Sequence, residues 1–272
     1  MDKIQVKIIN PRAIADAEKM AVSMARLTQR GANITSMYDF EQLLEMPYTE
    51  ELVSALCDMP HPTLQKFGLI NIAIIGASRR FLAQVTRHQN EVKFMSGSLQ
   101  YSDYSGKAMF CVPYEMTKYD AETIHTAENA LGILPSTATD YYLDGCRRDL
   151  EEYEYLAKLV GRDAAGYKMP QGMRNILVIS ALPYQWKHMI SQRVCNRNSL
   201  ETQYTLLRCW EELMGNSIMF DKCGPACTDF GYCAEGKMSC GKVNYDHYAN
   251  PQEFLNTAFP LIRNQVRVSE GE

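Results

Sequence analysis

Gln84, Arg87 and His88 are three and four residues apart, the spacing that puts side chains on one face of a helix. Together they offer an amide, a guanidinium and an imidazole. An arginine fork can hold a phosphate or a pyrimidine edge through paired hydrogen bonds, and a histidine can donate to a cofactor. The same three types also suit a solvated polar face, so their chemistry alone leaves both readings open. Arg193 and Arg197 form a second constellation, with Cys195 and Asn196 between them and His188 five residues before Arg193. Like charges four apart on a helix repel by roughly 0.2–0.5 kcal/mol, which an anionic partner would reverse; a solvated cationic stripe is the alternative. The third constellation is Cys223, Cys227, Cys233 and Cys240, set among Gly and Pro. Four soft thiolates can supply a tetrahedral zinc site, although no C-x-x-C pair occurs here and free thiols fit the spacing as well.

These residues need elements to position them. Lys3 to Ile9 alternates apolar and polar side chains and stops at Asn10-Pro11, which predicts a short strand. A helix is expected over 13–27. Leu69 to Ile75 is apolar and rich in β-branched residues, so it predicts a buried strand, and Ser78 can cap a helix running to about Gln89. The Ser-, Tyr- and Gly-rich stretch from Gly97 to Gly106 suits a ligand loop. Further helices are expected over 121–131 and through Leu150, Tyr153, Leu156 and Leu159, ending near Gly161, with an irregular stretch from Gly132 to Asp140 between them. Ile176-Leu177-Val178-Ile179 marks a second strand, within 175–182. It leads into one long helical region from about Pro183 to Met214, the best candidate to carry a site.

Composition narrows the function classes. A 272-residue chain with 46% hydrophobic residues can bury a large core, and its formal net charge of -4 is unlike that of a duplex-binding protein. No nucleic-acid partner is expected. The absence of a long apolar run and the sequence Met1-Asp2-Lys3-Ile4-Gln5 predict neither a membrane partner nor a signal peptide. Nine cysteines, an odd number, suit a reducing compartment, so a cytoplasmic location is expected. No repeat or linker divides the chain.

Gln84-Val85-Thr86-Arg87-His88-Gln89, followed by Ser98-Leu99-Gln100-Tyr101-Ser102, resembles the signature of flavin-dependent thymidylate synthases, in which Q-x-x-R-H-R leads to N-E-x-S-x-R-Y-S. Gly76-Ala77-Ser78-Arg79-Arg80 is similar to the run that precedes that signature. Arg193-Val194-Cys195-Asn196-Arg197 resembles the R-x-C-N-R of one subgroup, and the Cys-rich tail from Cys223 to Gly241 is similar to that subgroup's tail. The departures are Gln89 and Gln100 in place of arginines and Met95-Ser96 in place of Asn-Glu. Of the subgroup's A-Q-W-E-I, only Glu201 is kept.

The resemblance implies an α/β (α+β) fold with a mixed or antiparallel sheet and long helices, assembled as a homotetramer with sites at subunit interfaces. It implies a catalytic domain over 1–218 and a Cys-rich extension over 219–272 packed on it. The activity implied is methyl transfer that makes dTMP from dUMP, with FAD, NADPH and methylenetetrahydrofolate. Arg193 is then the catalytic cation beside the pyrimidine ring, and Gln84, Arg87, Ser98, Gln100 and Arg174 hold the nucleotide with it. Thr63, Arg87, His88, Gln89, His188 and Arg197 would meet FAD. Two alternatives stay open: a same-fold flavoenzyme that methylates or hydroxymethylates C5 of another pyrimidine nucleotide, and a non-catalytic nucleotide- or nucleic-acid-binding protein.

Overall fold

A computed structural model describes residues 4–127, 137–241, 250–262 and 266–268. Its elements in order are β1 (Gln5–Ile8), α1 (Arg12–Arg30), α2 (Met37–Leu44), α3 (Glu50–Cys57), β2 (Ile70–Ser78), α4 (Arg79–Val85), β3 (Val92–Ser96) and β4 (Met109–Phe110). There follow α5 (Tyr114–Ala127), α6 (Ala138–Val160), α7 (Arg162–Ala165), β5 (Arg174–Ala181), α8 (Pro183–Arg193), α9 (Leu200–Met214), α10 (Ala226–Phe230), α11 (Pro251–Ala258) and β6 (Val266–Arg267). The main sheet has the order β1-β2-β5-β3 and every neighbouring pair is antiparallel. With helices packed on it, the sheet gives the α+β architecture expected; β4 and β6 form a separate two-stranded ribbon.

Alternation makes one face of the sheet the core. Ile70, Ile72 and Ile74 of β2 and Leu177, Ile179 and Ala181 of β5 are buried and pack with α1, α8 and α9. The opposite face is only partly covered, leaving Ile176 46% and Met95 74% exposed. α9 is apolar on most sides because it lies at the centre, with Leu206, Leu207, Trp210 and Leu213 fully buried and α11 packed on it through Leu255 and Phe259. Two buried tryptophans lock these helices in register. Trp186 Nε1 of α8 donates to the Ile70 carbonyl at 3.0 Å, and Trp210 Nε1 of α9 donates to the Phe220 carbonyl at 2.8 Å. A second, smaller core gathers α6 with Phe110, Met169 and Met173.

Several expectations change in detail. The helix that Ser78 caps ends at Val85, short of Gln89, because Thr86 Oγ1 bonds back to the Leu82 carbonyl at 2.9 Å and the chain must turn to enter β3. The region 183–214 is two helices. Asn198 Nδ2 donates to the Gln192 and Cys195 carbonyls, and Asn196 Oδ1 accepts from Gln203 Nε2, so side chains take over from the helical ladder between Val194 and Ser199. Arg193 and Arg197 therefore do not share a helix. The helix expected over 121–131 is the end of a longer α5, whose continuation past 127 lies outside the described residues, as does most of the irregular stretch 132–140.

Gly68 joins the segment before β2 to α1. Its φ is +77°, and an added Cβ would stand 2.9 Å from Ala17 Cβ and 3.1 Å from Ala17 Cα on the buried face of α1. Both the backbone conformation and the close approach exclude a side chain. Gly68→Ala is expected to lower stability by about 1–3 kcal/mol, measured by chemical denaturation. A loss under about 0.5 kcal/mol would show that α1 moves freely away from this turn.

Candidate functional site

The site begins where β2 becomes α4. Ser78 is extended at the end of β2, and its Oγ accepts from Phe81 N at 3.1 Å, capping α4. The same residue donates both its N–H and its hydroxyl to the buried carboxylate of Glu201 in the first turn of α9, at 2.7 and 2.6 Å. Burial pushes the Glu201 carboxyl up, and the Ser78 hydrogen bonds act against that. Near the other end of α4, Gln84 Oε1 accepts from Ser199 Oγ at 2.9 Å and from Thr202 Oγ1. α4 is thus tied to the start of α9 at both ends.

The turn after α4 keeps His88 beside Gln84, with His88 N donating to the Val85 carbonyl at 3.1 Å. Arg193 at the end of α8 meets it there. Arg193 Nε donates to His88 Nε2 at 2.8 Å, one terminal nitrogen donates to the Gln84 carbonyl at 3.1 Å, and the other reaches Asn198 Oδ1 at 3.4 Å. His88 Nε2 is an acceptor and the imidazole is neutral with its proton on Nδ1. Burial, Arg193 and His188, in that order, hold His88 down to about 4. The His188 ring stands edge-on to it at 5.8 Å between centroids.

His88, His188 and Arg193 line a cavity of about 540 Å³ together with Arg87, Gln89, Tyr184 and Gln192. Its polar character comes from two guanidinium groups, two imidazoles and the amides of Gln89, Asn90, Gln185 and Gln192. Arg193 has no carboxylate within ion-pair distance among the described residues, and burial followed by the charge of Arg87 lowers its pKa. A second cavity, of about 820 Å³, shares Tyr184 and His188 with the first and is also lined by Gln65, Lys187 and Lys222. Gln65 is buried, and its side-chain oxygen has no hydrogen-bond partner among the described residues.

Of the residues expected to form one site, the structure gathers Gln84, Arg87, His88, Gln89, His188 and Arg193. It holds Ser98, Gln100 and Arg174 elsewhere. β3 runs antiparallel to β5 with Val92 opposite Ala181 and Ser96 opposite Leu177, so Ser98 and Gln100 lie toward the Arg174 end of the sheet and His88 toward the other. β5 has 8 residues, a span of about 24 Å at roughly 3.4 Å per residue. Ser98 Oγ caps its own loop by accepting from Gln100 N and Tyr101 N, and Arg174 reaches Met109 Sδ at 3.3 Å. Thr63 is exposed and lines neither cavity, although its neighbour Pro62 lines the larger one. Arg197 is turned away to an ion pair with Glu235 at 2.9 Å.

The structure also divides the four tail cysteines. Cys223 lies on the 820 Å³ cavity, whereas Cys227, Cys233 and Cys240 line a third cavity, of about 480 Å³. Cys223 packs against the main core, and Gly224-Pro225-Ala226 separate it from Cys227. Among the described residues no group of three or more His, Cys, Asp or Glu is arranged to hold a metal ion. Sequence reasoning missed Tyr184 and Gln192, which with His188 recur every four residues on the cavity face of α8; that period is visible in the sequence. It also missed β3, whose five residues include only two or three that favour a strand.

No helix among the described residues is long and apolar enough to cross a membrane. Residues 12–216 match the family model described as thymidylate synthase complementing protein. The flavin-dependent thymidylate synthase of Thermococcus onnurineus is 24% identical over 187 residues, 65% of this chain and 69% of the relative. That of Pyrococcus furiosus is 23% identical over 208 residues, 74% and 78% of the two chains. Among solved structures, thymidylate synthase X from Helicobacter pylori with FAD and dUMP is similar with a TM-score of 0.56, covering 81% of this chain and 99% of that one at 17% identity. At that identity the likeness supports the shared fold. The family match takes in every element from α1 to α9, and the chain belongs to the family it describes, the thymidylate synthase complementing proteins, which are enzymes.

Proposed function

We propose that this chain is a flavin-dependent thymidylate synthase that converts dUMP to dTMP, with methylenetetrahydrofolate as carbon donor and NADPH as reductant. Arg193 carries the reading. It is a partly buried cation beside a second cation, and the groups that hold it are neutral: an imidazole, a carbonyl and an amide oxygen. Such a charge calls for an anionic partner. Carbon–carbon bond formation at C5 of uracil places negative charge on the O2/N3/O4 edge of the ring, and a fixed guanidinium there lowers the barrier. Three of its five N–H groups have acceptors in the protein, which leaves two for a ligand. His88 orients the guanidinium without neutralising it.

The two cavities that meet at Tyr184 and His188 suit FAD. Their donors and cations match its phosphates and ring edges, and the unpartnered Gln65 oxygen offers an acceptor to a bound group. When bound, FAD supplies the hydride that reduces the transferred carbon. Arg87, His88, Gln89 and His188 are assigned to holding it, with Thr63 at the margin of the larger cavity. Arg197 can join them only if its pair with Glu235 opens. Gln84 and Arg87 are assigned to the nucleotide at this end of the sheet, and Ser98, Gln100 and Arg174 at the other. One copy cannot close those two halves on a single nucleotide, which supports a homotetramer whose sites lie between subunits. The apolar Ile176 and Met95 on the uncovered sheet face support assembly too.

Gln100 favours a second reading. An amide in place of the family's arginine loses a charge-assisted contact, roughly twice as strong as a neutral one, so another pyrimidine nucleotide can be the preferred substrate. Anaerobic incubation with FAD, NADPH, methylenetetrahydrofolate and either dUMP or dCMP decides between them by mass analysis. dTMP from dUMP is expected. Product from dCMP alone selects the second reading, and no product from either, with no flavin taken up, leaves a non-catalytic binding protein.

Three outcomes follow from the site. The purified protein is expected to be yellow and to carry FAD; a colourless protein that leaves flavin fluorescence unchanged on titration would remove the assignment of both cavities. Arg193→Lys keeps the charge but loses the planar fork, so turnover should fall on the order of a hundredfold while FAD stays bound. Turnover within about twofold of the parent would mean the cation acts elsewhere. His88 should titrate near 4 by NMR of its ring, well below the ordinary 6.5. Since its folded pKa is depressed, its contribution to stability is complete above about 6.5 and is lost as pH falls through about 4. A His88 titration at 6 or above would contradict the acceptor role toward Arg193.

A further inference from the structure

The Cys-rich tail takes no part in the chemistry above, and its folding poses a physical problem. From Phe230 to Gly241 no residue is buried, and only Cys233 and Ser239 are half-buried. Its hydrogen bonds are local, from Met238 N to the Glu235 carbonyl and from Gly241 N to Ser239 Oγ, and its ion pair to the body is the exposed Arg197–Glu235. An exposed ion pair contributes little, and a segment without buried apolar groups has nothing to offset the entropy lost on ordering. Segments of this kind are held by disulfides or by metals.

The thiols are where such a staple would be needed. Cys227, Cys233 and Cys240 line the 480 Å³ cavity with Cys195, which comes from the turn between α8 and α9. All four are free. Two stretches of chain, the turn between α8 and α9 and the tail, thus bring their thiols to one cavity. We propose that Cys195, Cys227, Cys233 and Cys240 bind one soft divalent ion of the zinc class and so clamp the tail onto the turn between α8 and α9. Cys195 thereby takes the place that sequence spacing alone gives to Cys223.

On binding, each thiol releases a proton to solvent and forms a sulfur–metal bond, so four thiolates and one divalent cation carry a net charge of two negative. Arg197 lines the same cavity and offsets part of that charge. With the metal bound, each thiolate faces a cation. The cluster is open in this structure, with no three ligands in metal-holding geometry, and closing it requires the 230–241 stretch to shift. Nothing buried in that stretch resists the shift. Arg193 lies two residues before Cys195, so the clamp also fixes the turn that directly follows the proposed catalytic cation.

The test uses the full chain, reduced and metal-free, titrated anaerobically with cobalt(II). Thiolate-to-cobalt charge-transfer absorption and the strong visible bands of tetrahedral cobalt are expected, saturating at one ion per chain and displaced by zinc. Cys195→Ser should weaken cobalt binding by at least about tenfold, the lower bound for loss of even an outer-shell partner. Cys223→Ser and Cys57→Ser should match the parent. Cys240→Ser, at an exposed position, repeats the test where the core cannot be disturbed. Flavin binding by each variant shows that it is folded, and flavin retained after cobalt binding is lost separates this inference from the assignment of FAD. No charge-transfer band in the reduced parent overturns the proposal. So does metal binding that survives Cys195→Ser but is lost in Cys223→Ser, or a disulfide among these four cysteines in protein purified anaerobically.

Discussion

The carboxylate of Glu201 against Ser78 is the constraint on which the site depends. Burying a carboxylate costs several kcal/mol unless its oxygens are satisfied, and here both accept from one residue, through a backbone N–H and a hydroxyl. Burial still outweighs these bonds in setting its pKa. Ser78 meanwhile caps α4, so the same atoms that satisfy the charge define where α4 starts and how it meets α9. Removing the carboxylate would leave a buried N–H and hydroxyl without acceptors and free two helices to slide. Because Gln84 is tied to Ser199 and Thr202, one joint sets the position of the Gln84 carbonyl, and that carbonyl receives Arg193.

Much of this frame was legible in the sequence, and the reasons are particular. β2 and β5 declare themselves because Ile70, Ile72 and Ile74 and their partners Leu177 and Ile179 are β-branched or apolar at period two, where local preference and burial agree. The Ser78 cap was legible from a small polar residue where that strand ends. The break between α8 and α9 was not, because Val194 to Ser199 holds no Gly or Pro. It is made by Asn196 and Asn198 reaching partners at Gln203, Gln192 and Cys195, and such side-chain bonds depend on the tertiary arrangement. The resemblance placed His88 and Arg193 in two separate motifs of one family, and their direct contact joins residues 105 apart in the chain. No periodicity reports a contact of that range.

The cysteines show the same limit from another direction. Spacing groups the thiols that are neighbours in sequence, and Cys223 begins that run. The fold instead assigns Cys223 to the main core and brings Cys195 to the cavity of the remaining three. Sequence distance misleads here because Cys195 stands 32 residues before Cys227 in the chain yet lines the same cavity.

The choice of partners for Arg193 is itself a functional constraint. A carboxylate in place of His88 would hold the guanidinium more strongly, since charge-assisted hydrogen bonds are roughly twice as strong as neutral ones, but it would also cancel the charge. A neutral imidazole fixes the direction of the fork and leaves its charge available. That arrangement depends on His88 staying unprotonated, and the neighbours that ensure it are burial, Arg193 itself and His188. The cation thus keeps its own acceptor neutral. Arg87 adds a second positive charge beside the pair and raises the cost of leaving the cavity without an anion. A site built this way is under electrostatic tension in the free protein; under the proposed function that tension would be relieved most where negative charge develops on a bound ring, which is the condition for stabilising a transition state more than a ground state.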